Sequence, residues 1–154
     1  MKVTAPVQRY LRGAWYYQKK ADFLDEKIRV LRSKAQKMTT TYQDIPVMGG
    51  FADHRQTVIA EMVDAEREYK KIVHQCKNKL QEIHFVINLL DDFQERLALE
   101  YHYLYFLNWQ DVSYRLNYTE RQIHNIHGRA LMNLLAIDKK IVENGGRSFF
   151  EGSK

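Results

Sequence analysis

Only two prolines, Pro6 and Pro46, occur among the 154 residues, and none follows position 46. Proline removes a backbone donor and clashes with the preceding helical turn, so a long stretch without it leaves room for long helices. The apolar residues use that room. Tyr10, Ala14, Tyr17, Ala21, Leu24, Ile28, Leu31, Ala35 and Met38 recur in alternating steps of four and three. Ile59, Met62, Glu66, Tyr69, Val73, Cys76, Leu80, Ile83, Ile87 and Leu90 form a second such row, interrupted only by Glu66. Alternating 3-4 spacing places each row on one narrow helical stripe, the pattern of a coiled coil. A helix from 56 to 90 would be roughly 50 Å long.

Between the rows lies TTTYQDIPVMGGFADHR (39–55), rich in Thr, Asp, Gly and Pro and without apolar period. It reads as a loop, long enough to be mobile or to serve a purpose. The expected arrangement for 7–90 is therefore an antiparallel helical hairpin. Charge agrees: residues 1–38 carry ten basic and three acidic side chains, while 59–107 carry six basic and nine acidic. Exposed ion pairs contribute only about 0.2–1 kcal/mol each, so the stripes must supply the stability. Either stripe could equally pair with a second chain, and the sequence leaves that open.

Composition removes several classes. With 45% hydrophobic and 28% charged residues the chain is neither a disordered tail nor collagen-like, and an all-α fold is expected. No apolar run approaches the ~18 residues of a membrane span, and the first residues hold no apolar signal core. Cys76 is the only cysteine. It excludes an internal disulfide framework, lies on the second stripe as expected for inert core, and favours a reducing cytoplasm. No glycine-rich phosphate loop or nucleophile elbow is present, so neither an enzyme nor a cofactor is expected. His124 and His127 stand three residues apart but have no Cys or Asp at ligand spacing and only Glu120 nearby, so no metal site is expected.

The pattern changes after Leu90. DDFQERLALEYHYLYF (91–106) reads as a further helix with Phe93, Leu97, Tyr101 and Leu104 on its packing face. In 108–134, Asn108 can cap a short helix that buries Trp109, Val112 and Leu116. Ser113 is small enough for close helix approach. Asn117 tolerates a left-handed turn. Thr119-x-x-Gln122 has the form of a capping box and opens a second helix burying Ile123, Ile126, Ala130, Leu131 and Leu134. Gly128 suggests close helix packing, with a simple surface glycine as the alternative. Gly145-Gly146 should end the last helix, leaving 138–154 as a tail that frays beyond it. Two short helices joined by a tight turn make the helix-turn-helix design.

This stretch resembles region 4 of sigma-70-type factors, and more closely the phage-encoded late-transcription regulators of Gram-positive bacteria (the ArpU/RinA type). The likeness rests on Trp109-Gln110-Asp111-Val112, Tyr118-Thr119-Glu120-Arg121-Gln122-Ile123 and Ile126-His127-Gly128-Arg129-Ala130-Leu131. The specific part covers about thirty residues within 91–137; the hairpin is similar in layout only. The resemblance implies a sequence-specific regulator in a bacterial cytoplasm whose partner is double-stranded DNA. It implies base-edge contacts by Glu120, Arg121, His124 and Asn125, with Thr119 and Gln122 nearer the phosphates and Arg115 and Arg129 on the backbone. Arginine suits guanine, asparagine adenine, and glutamate the cytosine amino group. The hairpin would serve homodimerisation or contact RNA polymerase. Two alternatives stand beside this expectation: a small terminase subunit, and a coiled-coil interaction protein that never touches DNA. The net charge of the 108–137 stretch is only +1, so DNA reading rests on motif and spacing, not on bulk charge.

Overall fold

The structure, a computed structural model, describes residues 3–41 and 50–152, with the side chains at 39–41 and 50–52 outside that description. Every regular element among the described residues is helical: α1 (Ala5–Leu11), α2 (Gly13–Thr41), α3 (Gly50–Ile87), α4 (Phe93–Leu99), α5 (Trp109–Leu116) and α6 (Glu120–Glu143). A single π-helical turn, Glu100–Leu104, continues α4. The fold is all-α. None of the described helices is long and apolar enough to cross a membrane.

The expected loop is shorter than 39–55. Helix α2 continues to Thr41 and α3 begins at Gly50, while 42–49, including Pro46, lie outside the described residues. The threonines 39–41 and the glycine at 50 are poor helix formers, but each costs only about 0.5–1 kcal/mol, which the adjoining long helices absorb.

Two compact units emerge, Tyr17–Cys76 and a second made of Met1–Tyr16 with Lys77–Lys154. The first is a helical hairpin within one chain. Ala21, Leu24 and Ile72 pack together with Tyr17 and Tyr69, and Ile28 and Leu31 pack with Val58 and Ala65. The order of contacts is antiparallel: Gln18 meets Cys76, whereas Arg32 meets Glu66. On α2 the stripe is as expected. On the front half of α3 it is displaced by one residue. Val58, Ala65 and Ile72 are buried, while Ile59 and Val73 are 38% and 42% exposed. Glu66 therefore does not interrupt the seam. It flanks Ala65 and pairs with Arg32 at 3.4 Å, Ala65 being too small to draw attention as a core residue.

The second unit departs further from the expected boundaries at 90 and 137. Helix α1 and the chain's last residues share its core: Val7, Tyr10 and Leu11 cluster with Ile83, Ile87, Leu99, Leu131, Leu134 and Phe150. The tail does not fray before Phe150. Helix α6 ends at Glu143 and Gly145 turns with φ +86°. Buried Asp138 then accepts from Ser148 Oγ (2.6 Å) and Phe149 N (2.7 Å). Phe150 meets the Tyr10 ring at 5.3 Å. Two aromatic side chains and one buried carboxylate outweigh the glycines and charges that suggested fraying.

The face of α4 also differs. Phe93 is 63% exposed, while Glu95, Ala98, Leu99, His102 and Tyr103 are buried. The true face carries a glutamate and a histidine, so an apolar count selects the wrong side. Helix α6, with α1, α4 and α5 packed on it, is the central element of this unit.

Candidate nucleic-acid interface

The pair α5–α6 is built from local signals. Asn108 Oδ1 accepts from Asp111 N at 2.8 Å and starts α5. Asn117 ends it in the left-handed region (φ 56°, ψ 40°), which turns the chain directly into α6. At the start of α6, Thr119 Oγ1 accepts from Gln122 N at 3.2 Å, and Gln122 Oε1 accepts from Thr119 N at 2.9 Å. This reciprocal box satisfies two donors that a helix start otherwise leaves unpaired. Val112, Ile123 and Ile126 are buried with Ala98, and Trp109, Leu116 and Tyr118 pack around them. Ser113 is buried, its hydroxyl turned to Gln110 O at 2.8 Å. Each buried position expected on α6 is buried.

All eight candidate side chains lie on exposed residues, but they are not equivalent. Thr119 and Gln122 are committed to the capping box. The Arg115 guanidinium sits 5.7 Å from the Tyr101 ring centroid, beside a cleft of about 380 Å³ lined by Tyr101, Tyr105, Leu107 and Arg115. His124 leans on Trp109, with ring centroids 5.6 Å apart. Arg129 donates from Nε to Glu95 Oε1 at 2.8 Å. Glu120 occupies the first turn, where its charge favours the positive end of the helix dipole. Among the described residues, Arg121 and Asn125 make no side-chain hydrogen bond or ion pair. Four residues apart, they share the outward face of the first turns.

Against α6 lies a layer of rings contributed by Trp109, His102, Tyr103 and His127. His102, 5% exposed, stacks on Trp109 at 3.7 Å and 19°, and His127 approaches the same indole at 4.4 Å. His102 Nδ1 donates to Leu107 O at 2.7 Å, which fixes its tautomer. His127 Nε2 and Tyr103 Oη share a hydrogen bond of 2.8 Å. Burial, then repulsion from His102, His124 and Arg12, lowers the His127 pKa to about 4. Burial lowers His102 as well, and pushes the Tyr103 hydroxyl up to about 12. The layer is thus built for neutral imidazoles. It adjoins Phe106, a non-glycine residue held at φ 58° just after the π turn.

The sequence reading also missed Glu95 and Asn133. Glu95, 2% exposed on α4, accepts from Arg129 Nε and from Asn133 Nδ2 (3.0 and 2.9 Å) on α6. The available signal was the four-residue spacing of Arg129 and Asn133 at the edge of the apolar stripe. Of the two readings for Gly128 the structure favours the simple glycine: a Cβ there would meet nothing within 4 Å, so it does not mediate close packing. No protein-family model, curated protein or solved structure matches the chain.

Proposed function

We propose that the chain is a sequence-specific DNA-binding protein, a transcriptional regulator of phage type, that reads the major groove with the first turns of α6. The observation that carries this reading is the pair Arg121 and Asn125, without a side-chain partner among the described residues, on the exposed side of a helix whose opposite side is buried. Arginine's paired donors match the two acceptors of a guanine edge, and asparagine's amide, one donor beside one acceptor, matches an adenine edge. The backbone N–H groups at the start of α6 add a site for a phosphate.

Footprinting the purified protein across the DNA of its host phage tests the reading. One protected site, lost with Arg121→Ala and Asn125→Ala, is the expected result. Each substitution should cost about 1–3 kcal/mol and relax specificity at one base pair. Protection that survives both substitutions overturns the assignment of α6 as the reading helix. Mass in solution separates the packaging alternative, since a large ring is expected of a small terminase subunit and a monomer or dimer of a regulator. The hairpin offers a second, weaker reading as a protein-docking arm, because Phe23 and Val30 are 65% and 49% exposed beside the exposed Lys27 and Lys34 on α2.

A further inference from the structure

The ion pair between α4 and α6 has an asymmetry that packing alone does not require. Its carboxylate end is almost completely buried, with Glu95 2% exposed and both oxygens occupied. Its cationic end is open: the Arg129 side chain is 54% exposed. Contact is made through Nε alone, at 2.8 Å. The two Nη groups have no hydrogen-bond partner among the described residues. Asn133, one turn further along, reaches both carboxylate oxygens, so each already has a partner without the Nη groups.

We infer that Glu95 is a positioning residue that holds Arg129 as a pre-aimed clamp for a backbone phosphate of the bound duplex, with Asn133 keeping Glu95 in place. This inference rests on the DNA-binding reading and deepens it. Arginine's planar fork suits the task. One edge is spent on the anchor, and the outer edge still offers paired donors at a spacing that matches two phosphate oxygens. Holding the side chain in advance removes the rotamer entropy that a loose surface arginine loses on binding. Arg129 lies ten residues beyond Thr119, about 15 Å along α6, so it can meet the backbone while Arg121 and Asn125 face the base edges. A phosphate contact carries no base information, so Arg129 would raise affinity for every sequence equally.

The test uses the full chain and a labelled DNA duplex of mixed sequence, with binding measured between about 50 and 200 mM salt. Arg129→Ala should weaken binding about three- to tenfold and lower the slope of log affinity against log salt by about 0.9, the signature of one lost phosphate. A fold that is merely less stable changes affinity without changing that slope. Glu95→Gln supplies an opposite-sign check. It makes the protein one charge more positive, so charge alone predicts tighter binding, whereas loss of the anchor predicts weaker binding. We expect weaker. A wild-type slope in Arg129→Ala, or tighter binding by Glu95→Gln, overturns the inference while wild-type binding leaves the DNA reading intact. Failure of the wild type to bind any duplex overturns both.

Discussion

The two compact units are held together by different chemistry. Among the described residues of the Tyr17–Cys76 hairpin the buried ones are apolar or Cys76, and the ion pairs Lys20–Glu68, Arg29–Asp25 and Arg32–Glu66 lie on exposed flanks. In the other unit Thr4, Glu95, His102, Ser113 and Asp138 are all buried. A row of interchangeable apolar side chains specifies that two helices pair, but constrains their sliding only weakly. A buried carboxylate with named partners tolerates one alignment, because any other leaves a charge or donor unpaired in low dielectric. The unit that carries the candidate interface is therefore the one whose geometry is fixed atom by atom.

The sharpest break in this contrast is Glu95→Ala. It removes the shared acceptor of Arg129 and Asn133, both of which water can then reach, and leaves a cavity where a fully buried side chain stood, so unfolding free energy should fall by about 3 kcal/mol in denaturant titrations. A loss comparable to that of an exposed pair would show that Glu95 is not a keystone of the second unit. Next comes acidity. Because the folded pKa of His127 is about 4, below its ordinary value, the unfolded chain binds the proton first as pH falls. The stabilisation from a neutral His127 is complete above about pH 6.5 and is lost progressively toward pH 4, reaching on the order of 2–3 kcal/mol. Thermal melts across that window should show the loss in the wild type and a shallower one in His127→Phe. An equal acid response in both would place the titrating groups elsewhere. Gly128→Ala should act in the other direction, stabilising the protein by about 0.5–1 kcal/mol, since the added methyl meets nothing. Destabilisation would mean that α6 needs the glycine after all. Smallest of all is Glu66→Ala in the hairpin, expected within about 0.5 kcal/mol because its pair with Arg32 is open to water.

What was legible from residues alone follows the same division. Local signals survived intact: the caps at Asn108 and Thr119, the left-handed turn at Asn117 and the buried side of α6 depend on residues adjacent in sequence. The α2 stripe was legible because its seam residues are strongly apolar. The first half of α3 was misread by one position because Ala65 looks weaker than its neighbours, and a one-residue shift of a helical stripe is only about a 100° rotation. Burial of Glu95 and His102 reversed the face of α4. Their partners, Arg129 and Leu107, are set by tertiary packing and by the π turn, which no periodicity announces. Anchoring of Phe150 depended in the same way on Asp138 and on Tyr10, at the far end of the chain.

That last contact has a consequence for the order of events in folding. The hairpin is one continuous stretch, so its contacts can form as soon as α3 has been synthesised. The other unit is split, its first sixteen residues waiting for α6 and Phe150 to arrive. Closure of that core carries the longest sequence separations in the molecule and, with them, the largest loop-closure entropy. A chain released before Phe150 would hold a finished hairpin with α1 exposing Val7, Tyr10 and Leu11 to the cell, a ready substrate for chaperones and proteases.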